Sequence, residues 1–130
     1  MKILYVEPME KPVVKDINTE LEDLQKEVEG YIQIVYPFDD SVCIVCNEEG
    51  KFNGMDLNRG LKLSDCGEEG NDELYDIIAG PFLVMGLGED SDFRDLTEEE
   101  IQKYAKRFRY PEMFYKKRNG EIGIIELGEN

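Results

Sequence analysis

Residues 31–46 read YIQIVYPFDDSVCIVC, and the folding of this stretch decides the class of the protein. Residues 31–36 (YIQIVY) and 42–46 (VCIVC) are runs of β-branched, aromatic and small apolar side chains, the composition of strands. Between them, residues 37–41 (PFDDS) supply the turn formers Pro, Asp and Ser. The spacing predicts two strands paired antiparallel across a short turn.

Upstream, Leu21, Leu24 and Val28 recur at helical spacing, with Glu20, Glu22, Asp23 and Glu27 on the remaining faces. Asn18 or Thr19 is the expected cap and Gly30 the expected left-handed stop. Residues 2–7 (KILYVE) and 13–17 (VVKDI) read as two strands joined by the turn-forming EPMEKP. Downstream, the turn 48–51 leads into a weak strand expected at Phe52, and residues 57–63 (LNRGLKL) read as a helical turn or irregular chain. Residues 65–73 (DCGEEGNDE) form a loop. Residues 77–87 (IIAGPFLVMGL) are the most apolar segment, a strand that Gly80-Pro81 should bend, bulge or place at an edge. Thr97 and Glu100 have the spacing of a capping box, opening a helix whose Ile101, Tyr104, Ala105 and Phe108 face the core. Residues 120–128 offer a last edge strand through Ile122, Ile124 and Ile125. The expected architecture is a single α+β domain, a mostly antiparallel sheet of about five to six strands with two main helices packed on it. Residues 1–110 form its compact part, and 111–130 a basic, aromatic C-terminal extension ending in that edge strand.

The chain of 130 residues has no His, which removes Ser-His-Asp and Cys-His nucleophile systems and histidine zinc sites. Cys43, Cys46 and Cys66 are an odd total, too few for a four-thiolate zinc site. Residues 43 and 46 lie three apart in a strand, so they point to opposite faces and read as structural thiols, with metal or redox chemistry the lesser alternative. No apolar run reaches the length of a membrane span, and the first residues lack the apolar core of a secretion signal, so a cytoplasmic protein is expected.

The net charge of −15 is unevenly placed. Residues 64–100 hold 13 acids against Arg94 alone, a net of −12, whereas residues 101–118 hold seven bases against Glu112, a net of +6. Three uses of this pattern compete: a solvated acidic face balanced by a basic helix, a single-strand nucleic-acid site on residues 103–118, and an acidic surface for a basic protein or in imitation of nucleic acid. The candidates for that surface are Glu68, Glu69, Asp72, Glu73, Glu89, Asp90, Asp92 and Asp95. The overall negative field speaks against nucleic acid as the partner. Within EDSDFRDLTEEE the calcium-loop template fails: counted from Asp90, the fifth, sixth and twelfth positions are Arg94, Asp95 and Ile101. No phosphate loop of the G-x-G-x-x-G or Walker type occurs in AGPFLVMGLGED. Neither a metal nor a cofactor is expected. A small-molecule or enzymatic site, if present, would use Asn58, Arg59 and Asp76, for which an Arg–carboxylate pair fixing the edge of the core is the blander role.

Taken in order, KILYVEP, LEDLQKEVEGYIQIVY, DDSVCIVCNEEGKFNGMDLNR, YDIIAGPFLV and LTEEEIQKY resemble DUF3846, a small uncharacterised domain family of Gram-positive gut bacteria, their phages and mobile elements. The resemblance covers residues 1–108, with Asn58-Arg59 and residues 76–80 at its most recognisable positions. Pro81 departs from the pattern, which has Thr there. The resemblance implies a stand-alone α+β domain of unknown function with no assigned catalytic residues. Together these readings lean away from an enzyme. They favour an acidic domain that binds a basic protein, a phage or mobile-element accessory of the antirestriction or DNA-mimic type, with pairing of two copies along 122–127 as a further option.

Overall fold

A computed structural model describes residues 1–128. The first hairpin joins β1 (Lys2–Val6) to β2 (Val13–Asp16), with Leu4 opposite Val14. Helix α1 (Leu21–Val28) follows, then β3 (Ile32–Val35) and β4 (Val42–Asn47), antiparallel with Val35 opposite Ile44. β5 (Leu57–Lys62) and β6 (Leu74–Ala79) make a separate antiparallel pair, and β7 (Phe82–Leu87) returns to the first sheet. The short β8 (Phe93–Arg94) extends β7 ahead of α2 (Glu98–Arg107). A last hairpin joins β9 (Glu112–Lys116) to β10 (Ile122–Glu126). The main sheet runs β2-β1-β7-β4-β3, antiparallel throughout, with β8 beside β7. This is a single α+β domain with a mostly antiparallel sheet, two helices and two smaller two-stranded sheets.

Strand alternation divides the core into two layers. Ile3, Cys43, Val45, Leu83 and Met85 face α1 and bury its Leu24 and Val28. Leu4, Val6, Ile44, Cys46, Phe82 and Val84 face the opposite way, against Ile101, Tyr104 and Phe108 of α2 and its C-terminal turn, and against Leu61 and Ile78 of the β5–β6 pair. Burying a Leu, Val, Ile or Phe side chain fully contributes about 1.5–3 kcal/mol, and β4 and β7 are covered on both faces. The aromatic rings interlock, with centroids 4.5 Å apart for Phe38 and Tyr104 and 5.2 Å for Phe82 and Phe108. The β9–β10 hairpin lies on the outer face of β5–β6: a Cβ on Gly60 would fall 2.7 Å from Ile124 Cδ1 and 2.5 Å from Leu74 Cδ1.

Several local expectations are corrected. Residues 57–62 are a strand, because the side chains that break its apolar pattern, Asn58 and Arg59, are buried with hydrogen-bonded heads. Phe52 is not in a strand. It sits 95% exposed in a turn closed by Asn53 N–H to Glu49 C=O and Met55 N–H to Gly50 C=O. Residues 77–87 are not one bent strand. The chain leaves β6, turns at Gly80 (φ +80°), and enters β7 at the centre of the other sheet. Helix α1 is preceded by Glu20, not Asn18 or Thr19, with no side-chain cap, and Glu29 (φ +64°) takes the left-handed position expected of Gly30. Gly30 serves a different need. The Asn47 amide, which donates to Val28 C=O at 3.0 Å, lies where a Cβ on residue 30 would stand. Leu21, expected in the helix stripe, is exposed.

Candidate functional site

Asn58 and Arg59 are fully buried on β5. The Asn58 amide donates to Val6 C=O and Gly80 C=O, both at 2.9 Å. Arg59 donates from Nε and Nη2 to Phe108 C=O (3.2 and 2.9 Å), from Nη2 to Glu10 C=O (2.7 Å) and from Nη1 to Asn58 Oδ1 (2.8 Å). A cation thus closes the carbonyl end of α2 and ties it to the β1–β2 turn, where the helix dipole favours positive charge. Burial lowers the Arg59 pKa, a shift that Glu112 opposes and Arg107 adds to.

The expected Arg59–Asp76 pair is absent. Asp76 is exposed on β6, where its carboxylate accepts from Lys51 Nζ at 2.5 Å and from Ile77 N–H at 2.8 Å. It stands between two grooves. One, of about 440 Å³, runs from Gln33, Val35 and Cys46 to Ile77 and Ile78. The other, of about 730 Å³, lies between residues 72–77 and 120–124. Arg59 lines neither. Its guanidinium is saturated by carbonyls, which leaves it no donor for a substrate.

Most of the acidic candidates lie on two segments that pack on the loop 37–41. Glu68, Glu69, Asp72 and Glu73 lie on the exposed loop ahead of β6, and Gly67 abuts the Asp39 carboxylate so closely that a Cβ would stand 3.2 Å from Oδ2. Glu89, Asp90 and Asp92 occupy the turn after β7. That turn is held to the same loop by Leu87 N–H and Arg94 Nη2, which both donate to Ser41 C=O. Among the described residues, none of these seven has an ion-pair partner, and Asp72 accepts only from the Ser64 hydroxyl. Asp95 is turned elsewhere, accepting from Lys2 N–H at 2.7 Å.

Beside the first acidic group, with Glu69 and Asp72 in its lining, runs a groove of about 470 Å³ whose central residues the sequence reading missed. Lys103 and Arg107, one helical turn apart on α2, meet Asp40 and Asp65 there. Asp40 also accepts from Tyr104 Oη at 2.6 Å. The hydrogen bonds from Lys103 and Tyr104 hold the Asp40 carboxyl below its ordinary range, while burial, then the Asp40 bond, push the Tyr104 phenol up. Arg107 Nη2 donates to Gly60 C=O and the buried Glu112 carboxylate accepts Gly60 N–H, so β5, α2 and β9 are joined at one residue. The i, i+4 spacing of two bases opposite acid-bearing turns was the available signal. In sequence, Asp39-Asp40 reads only as turn chemistry.

Of the aromatic residues in 103–118, Tyr104 and Phe108 are buried in the core, and the Tyr115 ring lies over Gly123, where a Cβ would stand 2.2 Å from Cζ. Cys43 and Cys46 are free thiols on opposite faces of β4, and burial pushes each up to about 11, away from the thiolate that metal or redox chemistry requires. Among the described residues, no group of three or more His, Cys, Asp or Glu is placed to hold a metal ion, and no helix is long and apolar enough to cross a membrane.

Fold and site together define an α+β domain whose buried polar side chains brace its segments while its unpaired carboxylates face solvent. The chain belongs to the family described as a domain of unknown function, DUF3846, whose model matches residues 1–109. The comparisons with curated proteins and with solved structures gave no match.

Proposed function

We propose that this domain is a binding module that docks a basic protein partner in the cytoplasm through its carboxylate surface, as an accessory of a phage or mobile element of the antirestriction or DNA-mimic type. The observation that carries this reading is the set of seven exposed carboxylates without an ion-pair partner among the described residues, Glu68, Glu69, Asp72, Glu73, Glu89, Asp90 and Asp92, carried by the two segments that pack on the loop 37–41. Exposed acids without an internal cation partner are open to an incoming Lys or Arg, which pairs with carboxylate as it does with phosphate. The groove beside them, with Lys103 and Arg107 already paired, adds a rim of fixed geometry.

Affinity capture from a host lysate by the wild type and by an E68K/E69K/E89K/D92K variant tests the reading. The expected result is a basic protein retained by the wild type and lost by a variant that melts at the same temperature. Equal capture by both removes the carboxylate surface from the function.

A further inference from the structure

The strand β10 has one free edge, and the hydrogen-bond phase shows which groups lie on it. Lys117 N–H donates to Glu121 C=O and Leu127 N–H to Pro111 C=O, so the odd-numbered residues 121–127 face β9. The N–H and C=O groups of Ile122, Ile124 and Glu126 therefore point away from the hairpin, with no backbone partner among the described residues. The edges of β2 and β6 are guarded. β2 follows Pro12 and carries Lys15 and Asp16, while β6 has an irregular register and an Asp76 carboxylate that takes Ile77 N–H. β10 (IGIIE) has neither Pro nor Lys.

The space beside this edge is the groove of about 730 Å³, with Leu74 and Ile77 of β6 as apolar floor and residues 120–124 as wall. Its charges are unequal in availability. Lys51 is held by Asp76 and Lys62 lies 4.0 Å from Glu126, whereas among the described residues Asp72, Glu73 and Glu121 have no cation partner, and of the lining bases Lys117 alone opposes them. We propose that this groove receives an extended basic peptide from a partner protein as an added strand antiparallel or parallel to β10. Backbone pairing to Ile122, Ile124 and Glu126 supplies affinity, apolar residues at alternate positions rest on Leu74 and Ile77, and basic residues between them meet Glu73 and Glu121. The inference rests on the function proposed above only for the sign of the peptide's charge.

Amide hydrogen exchange on the full chain tests it, with a capped peptide of about seven residues alternating lysine and valine as probe, long enough to span a typical strand. The expected result is slowing of the Ile122, Ile124 and Glu126 amides by about tenfold or more. The same peptide N-methylated at alternate backbone amides should give none, and neither should Ile122→Pro, which removes one outward N–H. Absence of slowing in the wild type overturns the proposal. So does equal protection by a glutamate–valine peptide, or protection in the free protein that grows with its concentration, which would mark a second copy as the occupant. If β10 protection appears while the E68K/E69K/E89K/D92K variant still captures the partner, the edge stands and the carboxylate surface falls.

Discussion

At the scale of single residues, Arg59 shows how a buried cation serves without a carboxylate at bonding distance. Its five-donor fork meets the carbonyls of Phe108, Glu10 and Asn58 and the Asn58 side-chain oxygen, satisfying acceptors that are buried at Phe108 and Asn58 and partly buried at Glu10. Arg59→Met keeps the apolar stem and strands these acceptors, so a loss of about 2–4 kcal/mol is expected in denaturant unfolding. Arg59→Lys recovers only part, because an ammonium cannot span the same fork. The thiols give a second prediction at this scale. Cys66 is exposed while Cys43 and Cys46 are buried, so a thiol reagent should titrate one group in the native protein and three after unfolding. Three fast thiols in the folded state would contradict the two-faced packing of β4. The Asn58-Arg59 pair was visible in the sequence as an oddity between Leu57 and Leu61. Its role was not, since the carbonyls it binds come from residues as far away as Glu10 and Phe108.

At the scale of elements, legibility followed the strength of local chemistry. The Thr97–Glu100 box is present in both directions, Glu100 N–H to Thr97 Oγ1 at 3.2 Å and Thr97 N–H to Glu100 Oε1 at 2.9 Å, and the β3–β4 pair has the turn its sequence announces. Strand β5 was hidden because burial of Asn58, Arg59 and Gly60 replaces the apolar alternation that marks a strand. The division of 77–87 into two sheets was hidden because Gly80-Pro81 reports a break without saying where the chain goes next. Thr97→Ala should cost about 1 kcal/mol in thermal or chemical unfolding. Glu100 also bridges to Arg94 through both carboxylate oxygens, and that bond, with those from Thr97, holds its pKa below the ordinary value against the opposing effect of burial. A carboxyl lowered in the folded state stabilises at neutral pH, and that contribution fades as acid carries the pH below the ordinary carboxylate range toward the lowered value. Melting of the wild type and Glu100→Gln across that range should show the wild-type advantage shrinking with acid. An advantage that grows with acid would reverse the sign of the argument.

At the scale of the whole molecule, the family match ends at residue 109 while the fold continues into a hairpin that covers β5–β6. Glu112 and Ile124 reach Gly60 from beyond that boundary, so truncation after residue 110 should lower the melting temperature and expose the outer face of β5–β6 to a hydrophobic dye. An unchanged melt would make the hairpin a passive appendage. The acidic surface was legible as a charge count but not as a layout. Only the packing of Gly67 against Asp39, and of Leu87 against Ser41, brings two segments separated by the whole of β6 and β7 to one loop. The most direct test of a function carried by that layout is the dissociation constant of the captured basic partner measured from about 0.05 to about 0.5 M salt, a range across which exposed charges become screened. The account predicts weakening by at least about tenfold across it for the wild type. Binding that holds constant across the same range would contradict it.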